Sequence, residues 1–251
     1  MRNKKVKIII SILILIVLVT AGYVCNMLGL FSKGNYGYGV DKTPVVFESP
    51  LKDKTVIFLG SSVTKGYGSL GLSFADFLEA SDGIVAVKEA VSGTTLVDVK
   101  DNSYVSRLKT IDKSIKADAF VCQLSTNDAT KKMPLGTVSD SFNIDTFNTQ
   151  TVAGAIEYIV AYAKATWDCP IAFYTQAKYD SEHYDKMVSL LLEIQDKWNI
   201  TVIDFWNDEA INNITDEKRK LYLVDHIHPT RAGYQIWWLP KFQEYLYKIV
   251  K

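Results

Sequence analysis

The chain has 251 residues, 48% of them hydrophobic, with 28 basic and 28 acidic side chains and a formal net charge of zero. That length and apolar content suffice for one sizeable core. The balanced charge, with no basic, aromatic-rich strip, argues against a nucleic-acid surface, and three cysteines are too few for a disulfide scaffold.

Charge is unevenly placed. Residues 1–32 carry Arg2, Lys4, Lys5 and Lys7 and no acid, and removing those four from the 28 basic residues leaves 24 against 28 acids. Residues 8–31 then run without a charge, and about 20 apolar residues span the hydrocarbon core of a bilayer. The basic flank stays on the cytoplasmic side, which sends the rest of the chain outward. A cleaved signal peptide has the same basic start. Against cleavage, no convincing small-x-small site is found and the apolar run resumes at Met27–Phe31. Tyr23 is also bulky where a lipoprotein signal ahead of Cys25 has small residues. The expectation is a transmembrane anchor over residues 1–31 with the remainder outside the cell membrane, or a secreted protein if the segment is removed.

Residues 32–53, with Gly34, Gly37, Gly39, Pro44 and Pro50, show no sustained periodicity and read as a linker from membrane to domain. Five short apolar runs follow, and they predict strands near 55–59, 84–89, 118–123, 170–175 and 200–204. Amphipathic stretches between them predict helices around 71–80, 104–115, 148–166, 183–197 and 231–249. In the last, Tyr234, Trp237, Trp238 and Tyr245 make an apolar face beside Lys241 and Glu244, the pattern of core packing and helix docking. Alternating strands and helices predict one α/β domain over 54–251, a three-layer α/β/α sandwich around a five-stranded, parallel, flavodoxin-like sheet. Cys122 and Cys169 fall near opposite ends of such a sheet and read as small buried side chains. Residues 130–147, with Pro134 and Gly136, have the composition of a loop able to cover a cleft.

Chemistry concentrates at the C-terminal ends of these runs. Thr55-Val56-Ile57-Phe58-Leu59 ends in Gly60-Ser61-Ser62-Val63-Thr64, which places a hydroxyl at the end of a buried strand. Far downstream, Asp225-His226-Ile227-His228-Pro229 sets a carboxylate three residues before an imidazole. Serine is a weak nucleophile at neutral pH and needs such a base, itself oriented by an acid. Gly93 follows the second run and Asn127 the third, and open parallel sheets bind ligands at this carboxyl edge. Taken singly, each feature has an ordinary reading: Ser61-Ser62 a turn, Asn127 a turn cap, Asp225 a helix cap. Their joint order and position favour a site. His226-x-His228 lacks the partners of a zinc centre. Lys65, Tyr67, Gln176 and Tyr179 are equally cleft lining or ordinary surface.

Ser62 in Gly60-Ser61-Ser62-Val63-Thr64, Gly93 in Val91-Ser92-Gly93-Thr94-Thr95, Asn127 in Ser125-Thr126-Asn127-Asp128 and His228 in Asp225-x-x-His228-Pro229 resemble the four blocks of the SGNH (GDSL-type) hydrolases, in order, over nearly all of residues 54–240. The resemblance implies a serine esterase that needs no metal or organic cofactor. Ser62 would be the nucleophile, His228 the base and Asp225 its orienting acid. The backbone N–H groups of Ser62 and Gly93 and the Asn127 amide would form the oxyanion hole. The family often has Asp where Ser61 stands and Gly where Ser125 stands, and the family register selects Ser62 over Ser61. By analogy and location the substrate is a small acyl ester, such as an O-acetyl group on carbohydrate. Two alternatives share these residues: an acyltransferase to a sugar hydroxyl, and an inactive polysaccharide-binding domain.

Overall fold

A computed structural model describes residues 2–251, the side chains of Arg2, Asn3 and Lys5 excepted. Five parallel strands form one sheet: β1 (Thr55–Gly60), β2 (Val85–Ala90), β3 (Ala119–Gln123), β4 (Ile171–Tyr174) and β5 (Thr201–Ile203), in the order β2-β1-β3-β4-β5. Helices precede and connect them: α1 (Arg2–Met27), α2 (Ser62–Lys65), α3 (Phe74–Asp82), α4 (Tyr104–Leu108), α5 (Thr126–Thr130), α6 (Val152–Trp167), α7 (Glu182–Trp198), α8 (Glu209–Asn212), α9 (Asp216–Tyr222) and α10 (Leu239–Ile249).

Strand side chains alternate between faces, so each run feeds two cores. Ile57, Leu59, Phe120, Cys122 and Phe173 pack with α4, α6 and α7, while Val56, Phe58, Val121, Ala172 and Tyr174 pack with α3 and α10. Burial on both faces explains why the runs are continuously apolar rather than alternating. Trp238 is fully buried, stacked on Phe205 at 4.5 Å, so the tryptophan pair belongs to the core.

Differences from the predicted helices have local causes. The helix predicted over 71–80 starts at Phe74, because Gly71 has φ +88° and Ser73 caps the helix with Asp76, whose carboxylate accepts from Ser73 N at 2.6 Å. The helix predicted over 104–115 ends at Leu108; the Asp112 carboxylate takes the Ser114 N–H and hydroxyl, and a turn replaces further helix. The terminal helix widens into a π turn over Gly233–Trp238 just before Pro240, which has no N–H to continue the ladder. Residues 130–147 do not lie free over the cleft. Lys197 Nζ donates to Ser139 O, Ser141 O and the fully buried Glu157 carboxylate, each at 2.5 Å, and ties the segment to α6 and α7.

α1 carries the apolar span Val6–Met27, with mean hydropathy 2.9, long enough for a membrane and not buried by the rest of the chain. Residues 32–53 are packed on the domain, because Asn35, only 1% exposed, is bonded at both ends of its amide.

Candidate active site

The strand order changes direction between β1 and β3, the point at the carboxyl edge of an open parallel sheet where ligands bind. β1 delivers Ser62 to one side of it. The chain turns at Ser61, makes the single turn α2 and leaves through Gly66, whose φ of +84° only glycine adopts readily. A fully buried glutamine at the end of β3 fixes this turn. Gln123 Oε1 accepts from Ser61 N at 2.9 Å and from Thr64 Oγ1 at 3.0 Å.

Asp225 and His228 arrive from the other direction, in a loop that the carboxylate itself shapes. Asp225 Oδ1 accepts from Ile227 N at 2.7 Å and His228 N at 2.8 Å, while Oδ2 stands 2.8 Å from His228 Nδ1. On the far side of the ring, His228 Nε2 lies 2.8 Å from Ser62 Oγ. A carboxylate only accepts, so Nδ1 carries the proton of a neutral imidazole and Nε2 is left to receive the serine proton. Partial burial opposes ionisation of Asp225. The His228 hydrogen bond, the attraction of the ring once it is protonated, and the two backbone N–H groups nevertheless hold its carboxyl down at about 2. The Tyr67 ring leans on the imidazole at 5.2 Å, and Gln176 Nε2 donates to Ile227 O at 2.6 Å.

Three loops are tied together beside this line. Arg107, buried, donates to Gly60 O at 2.8 Å and Thr94 Oγ1 at 3.1 Å, and pairs with Glu89 at 3.0 Å, so the ends of β1 and β2 and the Gly93 loop share one guanidinium. Asn127 Nδ2 donates to Thr94 O at 2.9 Å. The next residue, Asp128, is fully buried and accepts from Leu96 N at 2.8 Å and Val97 N at 3.0 Å; burial pushes its carboxyl pKa up. Ser125 caps α5 by accepting from Asp128 N. Gly93 has φ +81° with open space where a Cβ would stand, so its glycine is required by backbone conformation. Among the described residues, the backbone N–H groups of Ser62 and Gly93 and the second Asn127 amide hydrogen meet no protein acceptor. Those are the three donors the resemblance assigns to an oxyanion.

The structure thus brings Ser62, His228 and Asp225 into one hydrogen-bonded line and ties the Gly93 and Asn127 loops beside it. It places Lys65 in solvent and His226 at the surface, 5.8 Å from the Tyr179 ring. Sequence reasoning missed Arg107, Gln123 and Asp128. Gln123 carried one signal, a polar side chain ending an otherwise apolar strand. A cavity of about 370 Å³ opens on the Asp225 and His226 side, lined by Lys178, Tyr179, Arg219, Lys220 and Leu223 among others.

A family model described as GDSL-like lipase/acylhydrolase matches residues 56–238. No curated protein matches the chain. Among solved structures, a protein from Lactobacillus plantarum is 19% identical, with a TM-score of 0.66 over 78% of this chain and 97% of its own. A member of the lipolytic G-D-S-L family from Veillonella parvula is 16% identical, with a TM-score of 0.55 over 76% and 97%. A family two carbohydrate esterase from Clostridium thermocellum, solved with cellohexaose, is 16% identical, with a TM-score of 0.54 over 78% of this chain and 64% of that one. At these identities the likeness is one of fold.

Proposed function

The chain belongs to the GDSL-like lipase/acylhydrolase family, and from that membership we propose that it is a serine ester hydrolase of small acyl esters, held outside the cytoplasm by its N-terminal helix. One observation carries the reading: the unbroken line from Asp225 Oδ2 to His228 Nδ1 and from His228 Nε2 to Ser62 Oγ, each step 2.8 Å.

In this mechanism the Ser62 hydroxyl oxygen bonds to the ester carbonyl carbon as its proton passes to His228 Nε2. Asp225 keeps the ring oriented and stabilises the imidazolium, which its low pKa allows because the carboxylate stays ionised throughout the working range. The oxyanion takes up the N–H groups of Ser62 and Gly93 and the free Asn127 amide hydrogen. The carbon–oxygen bond to the leaving alcohol then breaks, and His228 returns the proton to that alcohol. Water repeats the sequence on the acyl-enzyme and frees the acid and Ser62.

The cavity beside Asp225 and His226 is of a size to hold a sugar-like alcohol. That, with a fold shared by a carbohydrate esterase, supports an O-acyl group on carbohydrate as the substrate. The basic segment before α1 supports an outward-facing domain. The test is turnover of acetyl, butyryl and octanoyl esters of 4-methylumbelliferone by the wild type and by Ser62→Ala. The reading expects preference for acetyl and loss of all turnover in the variant; turnover unaffected by Ser62→Ala would end it.

A further inference from the structure

We propose that Leu28–Tyr36 is a rigid strap that holds the Ser62–His228 cleft at the outer face of the bilayer, so that the ester cleaved is one carried on a membrane-linked molecule; this rests on the hydrolase reading above.

The strap begins with a fixed helix end. Gly29 has φ +78°, Leu30 N donates to Cys25 O at 2.9 Å and Gly29 N to Asn26 O at 2.9 Å, which is the Schellman arrangement. The direction in which the chain leaves α1 is therefore set by hydrogen bonds. Asn35 then fastens the strap to the cleft. Its Nδ2 donates to Gly29 O at 2.8 Å and Gly68 O at 2.9 Å, and its Oδ1 accepts from Arg231 N at 2.8 Å. Gly68 in turn lies against the base, since a Cβ there would stand 2.8 Å from His228 Cβ. The Asn35 amide and Gly68 alone thus link the carbonyl of Gly29 to the side chain of His228.

The span Val6–Met27 is 22 residues, about 33 Å of helix, against a hydrocarbon core of about 30 Å. Met27 therefore sits at the edge of the hydrocarbon, and Gly29 lies at most about 7 Å of chain beyond it. The headgroup layer adds roughly 5–7 Å on that side, which brings His228 to the membrane surface. Tyr23, Phe31 and Tyr36 are 63%, 67% and 58% exposed around this level, the placement of aromatic residues at a bilayer interface.

The path of the chain fixes which end of the domain faces the membrane. From Asn35 at the cleft, the strap's continuation passes Gln235, whose Nε2 donates to Thr43 Oγ1 at 3.0 Å. It reaches the opposite edge of the sheet where Val46 N meets Ser81 O at 2.8 Å and Asp53 N meets Gly83 O at 2.9 Å. Only then does it enter β1 at Thr55. A domain seated on its other edge would need none of this return. Ester groups presented at the bilayer face consequently meet Ser62 first, and substrates far out in the medium do not.

The test uses the full chain in phosphatidylcholine vesicles. In one variant a flexible ten-residue Gly/Ser spacer is inserted between Met27 and Leu28, which frees the strap from α1 and leaves its bonds to the domain. Two probes are compared: water-soluble 4-methylumbelliferyl acetate, and a 1,2-dialkyl-3-acetylglycerol embedded in the same vesicles. The expected result is equal turnover of the soluble ester, within twofold, and at least tenfold slower turnover of the embedded ester by the spacer variant. Equal turnover of both esters by both proteins overturns the proposal. Geometry is read separately with a fluorophore at Lys65→Cys or at Phe47→Cys, in a background with Cys25→Ser and Cys169→Ser, and a quencher on the lipid headgroup. Lys65 lies at the cleft edge and Phe47, 91% exposed, at the far edge. Quenching at the first site and not the second supports the strap whether or not an ester is cleaved, and the reverse pattern overturns it. Extraction of the wild type from vesicles by alkaline carbonate removes the anchor and the proposal with it. Absence of turnover on both esters with quenching at the first site sinks the hydrolase reading and leaves the orientation standing.

Discussion

Ser61 and Ser62 are neighbours whose hydroxyls serve opposite sides of the sheet edge: Ser61 Oγ, fully buried, donates to Gln123 Oε1 at 3.3 Å, while Ser62 Oγ meets His228 Nε2 at 2.8 Å. Only one of them has a base. Ser61→Ala should keep turnover within about tenfold, because its loss removes a peripheral hydrogen bond of about 1 kcal/mol. Ser62→Ala should lower kcat by at least about 10⁴. Steady-state kinetics on the acetyl ester separate the two, and equal losses would remove the distinction.

Asn127→Ala should lower kcat by roughly 10²–10³ with KM nearly unchanged, since an oxyanion donor acts only after the carbonyl has been attacked. The amide also donates to Thr94 O, so the loop itself must be checked. A thermal unfolding midpoint near that of the wild type, alongside the kcat loss, meets the prediction. A rise in KM at constant kcat contradicts it.

Much of this was legible because its physics is local. Continuous apolar runs specify strands buried on both faces, and the small residues after β1 specify the turn that presents Ser62. The line from Asp225 to His228 spans three residues and closes through its own backbone hydrogen bonds. What the sequence hid depends on distant partners. Arg107 reads as one more cation until Gly60 and Thr94 are placed beside it. Asp128 reads as a solvated acid until α5 turns it under the Gly93 loop. Residues 32–53, rich in glycine and proline, read as a linker from membrane to domain, and nothing in their composition announces that Asn35 bonds them to Gly68 and Arg231. Glycine and proline mark irregular backbone, and irregular backbone can be as well bonded as a helix.

Asp128→Ala should affect both stability and rate. It leaves the N–H groups of Leu96 and Val97 without acceptors in a dry site, at about 1–3 kcal/mol for each such group. The Gly93 loop then loses its seat and kcat falls. Asp128→Asn keeps one acceptor oxygen and should recover part of both. Urea unfolding and kcat measured together check this; a stability loss without any change in kcat would uncouple Asp128 from the site.

The Asp225 carboxyl, at 3.8 when unfolded and held at about 2 when folded, contributes stability above pH 3.8 that disappears as the pH falls through about 2. The sign follows from a depressed acid: the unfolded chain takes up the proton first. The excess in unfolding midpoint of wild type over Asp225→Asn should therefore shrink between pH 4 and pH 2. An excess that is constant over this range means that the carboxyl is not held by His228.

Glu157→Ala serves as a structural counterpart. The fully buried carboxylate pairs with Lys197 at 2.5 Å and accepts from Trp198 Nε1 at 3.1 Å, far from the nucleophile in sequence and on the α6–α7 side. Removing it leaves Lys197 on its two carbonyl acceptors without a counter-charge and the Trp198 indole N–H without an acceptor, the latter at about 1–3 kcal/mol. The folded fraction should retain its kcat, measured below the lowered unfolding midpoint.

The most direct measurement is fluorophosphonate labelling of the purified full-length protein with mass spectrometric mapping of the modified peptide. An activated nucleophile predicts label on Ser62, absent when His228 is replaced by Ala. Label on Ser61, or none on folded protein, contradicts the account.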